Sequence, residues 1–148
     1  MKTEWETSQN KISKFEIHQS CYKNGDQILR KQKIDVAAFD DNMKQLWVEQ
    51  IYIDSSKVTI IDQLIGKPAP SSILVNWDDW GYGQFEIDEV SIAHFKENLS
   101  KIENPLARNL IYSTVFMMVR EGKMAPNHYI KINKNHIMHE TSQEIFQT

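Results

Sequence analysis

Residues 72–88 read SILVNWDDWGYGQFEID, and this stretch decides the architecture. Ser72 to Val75 is a short apolar run of the kind that forms a buried strand. Asp78, Asp79, Gly81 and Gly83 follow as turn residues, since Asp binds local amides and Gly accepts conformations closed to other residues. Phe85 and Ile87 then alternate with Glu86 and Asp88, which predicts a returning strand over residues 82–88. Beyond Asp88 the apolar period changes from two to about 3.6: Ile92, Phe95, Leu99 and Ile102 share one helical stripe, with Asp88 placed as its N-cap. The stretch is therefore a joint between a β part and an α part.

Upstream of it, residues 14–22, 27–39, 44–53, 57–62 and 71–77 are rich in β-branched and aromatic side chains. Turn signals separate them at Asn24-Gly25-Asp26, Asp40-Asp41-Asn42, Asp54-Ser55-Ser56 and Gly66 to Pro70. With residues 82–88 these make six short strands, and the expected arrangement is an antiparallel β-sandwich. Ile34, Val36 and Ala38 alternate with Asp35, Ala37 and Phe39, the pattern of a sheet with one buried face. Downstream, Asn104 as cap, Pro105 at the first helical position and Gly122 as terminator bound a second helix. Its apolar face is Leu110, Ile111, Thr114, Val115, Met118 and Val119, and Val115 to Met118 read as core filling. A third helix is expected from Pro126 through Tyr129, Ile132, His136 and Ile137. The fold class is thus mixed β then α: a sandwich followed by the first helices of an α-solenoid. Thr141-Ser-Gln-Glu144 is a capping box announcing a further helix, and only four residues follow it. Eight residues are short of the roughly 12 below which isolated helices are marginal, so a fragment or truncated product is expected.

The 148 residues carry 41% hydrophobic and 25% charged side chains with a formal net charge of −3, a globular balance that offers no basic footprint for nucleic acid. No apolar run approaches the roughly 18 residues that span a bilayer, and the first fifteen residues lack a signal-peptide core. No membrane partner is expected, and a cytoplasmic location follows if the chain is complete. Cys21, the single cysteine, forms no internal disulfide and reads as a small, partly buried hydrophobe.

Four constellations could carry chemistry. His136 and His139, with Glu140 beside them, suggest a metal, but adjacent residues on a helix point about 100° apart; helix-terminal histidines facing the dipole are the simpler reading. Asp78 and Asp79 beside Trp77 and Trp80 suggest a carbohydrate platform or a carboxylate pair, yet neighbouring turn residues seldom flank a scissile bond, and a turn role is simpler. Lys23, Arg30, Lys31 and Lys33 read as a solvated strand face. Ser20, Ser71 and Ser91 read as turn or cap residues, since no nucleophile elbow is present.

Asn76, Asp78, Asp79, Tyr82 and Asp88 together resemble the passage that joins the β-sandwich to the helical domain in aminopeptidase N-like zinc metallopeptidases, the gluzincin aminopeptidases, including the actinobacterial and endoplasmic-reticulum types. Trp5, Thr7 and Asn10 resemble that family's exit from the catalytic domain, and Asn104-Pro105-Leu-Ala-Arg108 resembles its second helix start. Trp77 departs from the acidic residue often found at its position. The family holds zinc through HExxH and a distant Glu, with the central Glu as general base; neither HExxH nor the Gly-x-Met-Glu-Asn substrate loop occurs in this sequence. The resemblance therefore implies residues 1–13 as a linker from a missing catalytic domain, 14–88 as the sandwich, and 89–148 as a truncated helical domain. It implies no catalytic, cofactor-binding or metal residue here, with zinc confined to the full-length enzyme. The expected partners are the missing catalytic domain and the remaining solenoid, with peptide substrate met only in that context. The implied role is a wedge and partial chamber cover for an enzyme that trims N-terminal residues from peptides. The alternative is a stand-alone, non-enzymatic sandwich-plus-helix interaction module.

Overall fold

The computed structural model describes residues 1–23 and 26–140. Two three-stranded antiparallel sheets come first and three helices follow. The first sheet has the order β1–β2–β7, from Lys2–Ser8 (β1), Lys11–His18 (β2) and Val58–Ile60 (β7). The second has the order β6–β5–β8, from Gln45–Ile53 (β6), Gln32–Phe39 (β5) and Ser72–Val75 (β8). Tyr22–Lys23 (β3) and Asp26–Gln27 (β4) form a small separate pair, and the Asn24-Gly25 signal between them lies outside the described residues. So does the Thr141–Glu144 capping box.

The core is built in two parts that share the second sheet. Ile12, Phe15 and Ile17 of β2 meet Ile34, Val36, Ala38, Ile51, Ile53, Ile73 and Val75 of the second sheet. On the opposite face of that sheet, Ala37, Phe39 and Leu74 meet the helices through Ile92, Phe95, Leu99, Ile111 and Val115. β5 is thus buried on both faces, with Ala37 and Phe39 as inaccessible as Val36, and the expectation of one solvated face fails there. Side chains on both parities of a strand must be apolar when helices cover one face and a sheet the other. The same reason makes β8 a continuous apolar run.

The helices are α1 (Glu89–Asn98), α2 (Pro105–Arg120) and α3 (Pro126–His136), with single 3₁₀ turns at Leu99–Lys101 and Ile137–His139. The stripe Ile92, Phe95, Leu99 and Ile102 is wholly buried, as its period required. Asn104 accepts the amides of Leu106 and Ala107, Pro105 occupies the first turn, and Gly122 takes φ of 70° just after α2. Each device satisfies groups that a helix end leaves open. Val115 and Met118 lie in the core, in keeping with the reading of the Met-rich segment.

Three local expectations fail. Residues 2–8, inside the stretch read as a linker, form β1, in register with β2 from Lys2↔His18 to Ser8↔Lys11. Charged residues at 2, 4 and 6 hid it, because its cross-strand partners lie on a solvated face. Residues 82–88 form no strand: on β8 the Ile73 amide goes instead to Ser91 Oγ of α1, at 2.9 Å. Cys21 is exposed rather than partly buried: it lies between the end of β2 at His18 and the start of β3 at Tyr22.

Candidate functional site

The joint between sheet and helices is the best-defined site in the molecule. Asn76 follows β8 with φ of 64° and Asp79 has φ of 56°, the left-handed region that Asn and Asp tolerate better than other side chains. Asn76 Oδ1 accepts the Gly81 amide at 2.6 Å while its Nδ2 donates to Asp79 Oδ1 at 3.2 Å. One buried amide thus closes the turn from within, and Asp79 serves as its acceptor. Asp78 is exposed and Trp80 protrudes, so the turn reading fits this pair of acids better than a paired-carboxylate site does. Trp77 is buried against Phe39, ring centroids 5.6 Å apart, so the position that departs from the family pattern supplies core contact here. Tyr82 points outward; its amide donates to Gln32 Oε1 at 2.7 Å and its ring lies 5.4 Å from the Arg30 guanidinium.

Gly81 has no room for a side chain. A Cβ there would come within 2.7 Å of Ile34 Cγ2 and Phe85 Cζ and 2.8 Å of Asn76 Oδ1. Gly81→Ala is expected to destabilise the fold by about 1–3 kcal/mol, the range for overpacking. Urea unfolding checks it, with Gly66→Ala as the comparison: that glycine meets nothing within 4 Å and carries only the strain of its φ of 83°.

Asp88 closes the joint on the helical side. Its Oδ1 accepts the Ser91 amide at 3.0 Å and its Oδ2 the Ser91 hydroxyl at 2.6 Å. Ser91 in turn accepts from β8, so cap, helix and strand are hydrogen-bonded in series. A short distance away His94 Nδ1 lies 2.8 Å from Ser72 Oγ, and its Nε2 lies 3.2 Å from the Asp41 carbonyl. This is the contact of a nucleophile with its base, but Ser72 is fully buried, so the pair fastens β8 to α1. Periodicity carried no signal for it, since His94 lies off the apolar stripe.

At the second motif, Pro105 begins α2 and Arg108 is nearly inaccessible. The Arg108 guanidinium donates to Glu140 through Nε at 2.8 Å and Nη2 at 2.7 Å, and through Nη1 to the carbonyls of Ile102 and Glu103. The carboxylate holds the Arg108 pKa above its ordinary value. Tyr112, one turn on, is buried with its hydroxyl lacking a partner among the described residues. Burial first, and the Glu140 charge second, push its pKa up to about 12. Its neutral form is favoured in the fold, so this contribution is complete below pH 10 and disappears as pH rises through 12. An alkaline loss of stability on the order of 2 kcal/mol is expected between those limits, absent in Tyr112→Phe, as pH-resolved urea melts will show.

The imidazole pair does not suit a metal. His136 Nε2 lies 2.9 Å from the Lys96 carbonyl and Nδ1 3.1 Å from Ser100 Oγ, so both ring nitrogens are engaged by the α1 region. His139 is exposed and Glu140 belongs to Arg108. The reading of both histidines as facing their own helix dipole is replaced, for His136, by contacts to a neighbouring element. Donor atoms of Glu4, Glu16 and His18 do lie within 4.8 Å of one another. Lys14 sits among them, 3.2 Å from Glu16 and 3.9 Å from Glu4, supplying the positive charge that two facing carboxylates need.

No family model matches the chain. The sequence is 28% identical over 127 residues to aminopeptidase N of Streptomyces lividans, an alignment taking in 84% of this chain. The relationship is aminopeptidase-N-like, distant and partial. The chain spans about 15% of the length of that protein.

Proposed function

We propose that this chain is a non-catalytic portion of an aminopeptidase N-like zinc metallopeptidase, acting as a structural wedge and partial cover of its peptide chamber. The observation that carries the reading is the joint: Asn76, Gly81, Asp88 and Ser91 hydrogen-bond the end of β8 to the start of α1, and the helical core packs on the second sheet. A cover has to hold its position relative to a neighbouring domain, and a joint without slack lets the two layers move as one body. Access of substrate and exclusion of water are then governed by whole-body movement. Zinc belongs, on this reading, to the full-length enzyme; in this chain both ring nitrogens of His136 are engaged by Lys96 and Ser100. The parent enzyme removes N-terminal residues from peptides.

The test is an aminopeptidase assay of the purified 148-residue chain with a panel of aminoacyl-anilide reporters, with and without chelator. No chelator-sensitive release is expected. Robust turnover that a chelator abolishes would contradict the reading directly.

A further inference from the structure

We infer that the free edge of β1 is a docking site for an extended polypeptide segment carrying basic side chains at alternate positions. β1 is the outer strand of its sheet. Backbone polar groups alternate sides along a strand: Phe15 and Gln19 of the β2 region bond toward β7 and residue 57, and Met1 bonds outward, to the Gln84 carbonyl and the Glu86 amide. By that parity Lys2, Glu4 and Glu6 pair with β2, while Thr3, 6% exposed, and the partly buried Trp5 turn their N–H and C=O groups away from it. Among the described residues these outward groups have no hydrogen-bond partner. Met1 shows that the edge accepts an extended chain, and the contact ends where residues 87–88 turn into α1.

Beside Thr3 and Trp5 the molecule leaves an open groove of ≈ 900 Å³ between β1 and the helical layer. Its apolar wall includes Ile87, Ile92, Met118 and Met124. Its charged lining is five carboxylates, Glu4, Glu6, Glu86, Asp88 and Glu89, against Lys2, Lys96 and Lys123. Glu4 is paired with Lys2, Glu86 with Lys123, and Asp88 caps α1 through Ser91, so Glu6 and Glu89 are the acids left to meet a ligand. Glu6 is 69% exposed at its side chain, and Glu89 is exposed as well. His128 also lines the groove, and its enclosed Nδ1 has no partner among the described residues. An edge strand with unpaired groups recruits a further strand, and side chains on alternate positions then set specificity. Here one side of the incoming strand meets the apolar wall and the other meets the carboxylates. A basic segment suits this lining better than a second copy, whose β1 would bring Glu4 and Glu6 against the same acids.

The inference does not depend on the aminopeptidase reading. It is tested with the full chain and a fluorescent, end-capped nonapeptide alternating Lys with Thr and Val, followed by anisotropy at low salt. Saturable binding is expected. Replacing the lysines with glutamates is expected to weaken it by about tenfold or more, as charge complementarity requires. N-methylation of alternate amides on one edge of the peptide should abolish binding, while methylation on the other edge should leave it. The double variant Glu6→Lys, Glu89→Lys, at two exposed positions, should weaken it about tenfold as well. Equal binding of both methylated peptides, or of the charge-reversed variant, overturns the proposal. So does absence of binding, or concentration-dependent dimerisation that consumes the edge.

Discussion

Arg108→Met is expected to cost about 3–5 kcal/mol of stability, the range for removing one member of a buried ion pair. The loss of the pair's attraction is the smaller part of this. Glu140 is 2% exposed at its side chain, and without the guanidinium its carboxylate remains enclosed beside Tyr112. The carbonyls of Ile102 and Glu103 lose their donor at the same time. Glu140→Gln should be milder, because a neutral amide can still accept from Arg108, although it leaves the guanidinium uncompensated. The double variant Arg108→Met, Glu140→Leu should recover much of the loss, since replacing both charges removes the desolvation penalty. Urea unfolding of the three variants decides it; a cost below about 1 kcal/mol for Arg108→Met, the value of a surface pair, would refute this account. On a total stability of about 5–15 kcal/mol, the first variant would lie near the edge of folding.

Phe95→Ala should cost a similar amount, about 3–5 kcal/mol, by removing a fully buried aromatic side chain and leaving a cavity. Phe95 is inaccessible and meets Phe39 edge-on at 6.3 Å, and Phe39 meets Trp77 in turn. The three rings form the seam where α1 lies on the second sheet. Loosening that seam should redden the emission of buried Trp77 before the first sheet unfolds, because the Ile12–Phe15–Ile17 cluster is built without Phe95. Phe116→Ala, at a partly buried ring on α2, is the control and should cost far less. If both substitutions cost the same, the seam does not couple the layers. The proposed wedge role would then lose its physical basis, since a cover that slides on its sheet cannot gate a chamber as one body.

Both predictions fall on contacts that residue order announces only in part. Phe95 was visible as a member of the stripe with Ile92, Leu99 and Ile102, because helical period alone groups them. Arg108 was visible only as part of a resemblance, and Glu140 was read with His136 and His139. Thirty-two residues separate Arg108 from its partner, and no local pattern registers a pairing across that span. Asn76, Asp79 and Gly81 were legible as turn residues, but the inward closure by the Asn76 amide was not.

What the amino-acid order determined by itself was the local grammar: strands then helices, the change of period after Asp88, the caps at Asp88 and Asn104 and the stop at Gly122. These follow from interactions within a few residues, where side-chain type and spacing suffice. Tertiary structure alone decided that residues 2–8 pair as a strand, that 82–88 do not, and that β5 is covered on both faces. A strand exists only if a neighbour offers its free edge. Lys11–His18 offered one to β1, whereas on β8 the Ile73 amide goes to Ser91, and the backbone of residues 84–86 meets the first sheet's side through Met1.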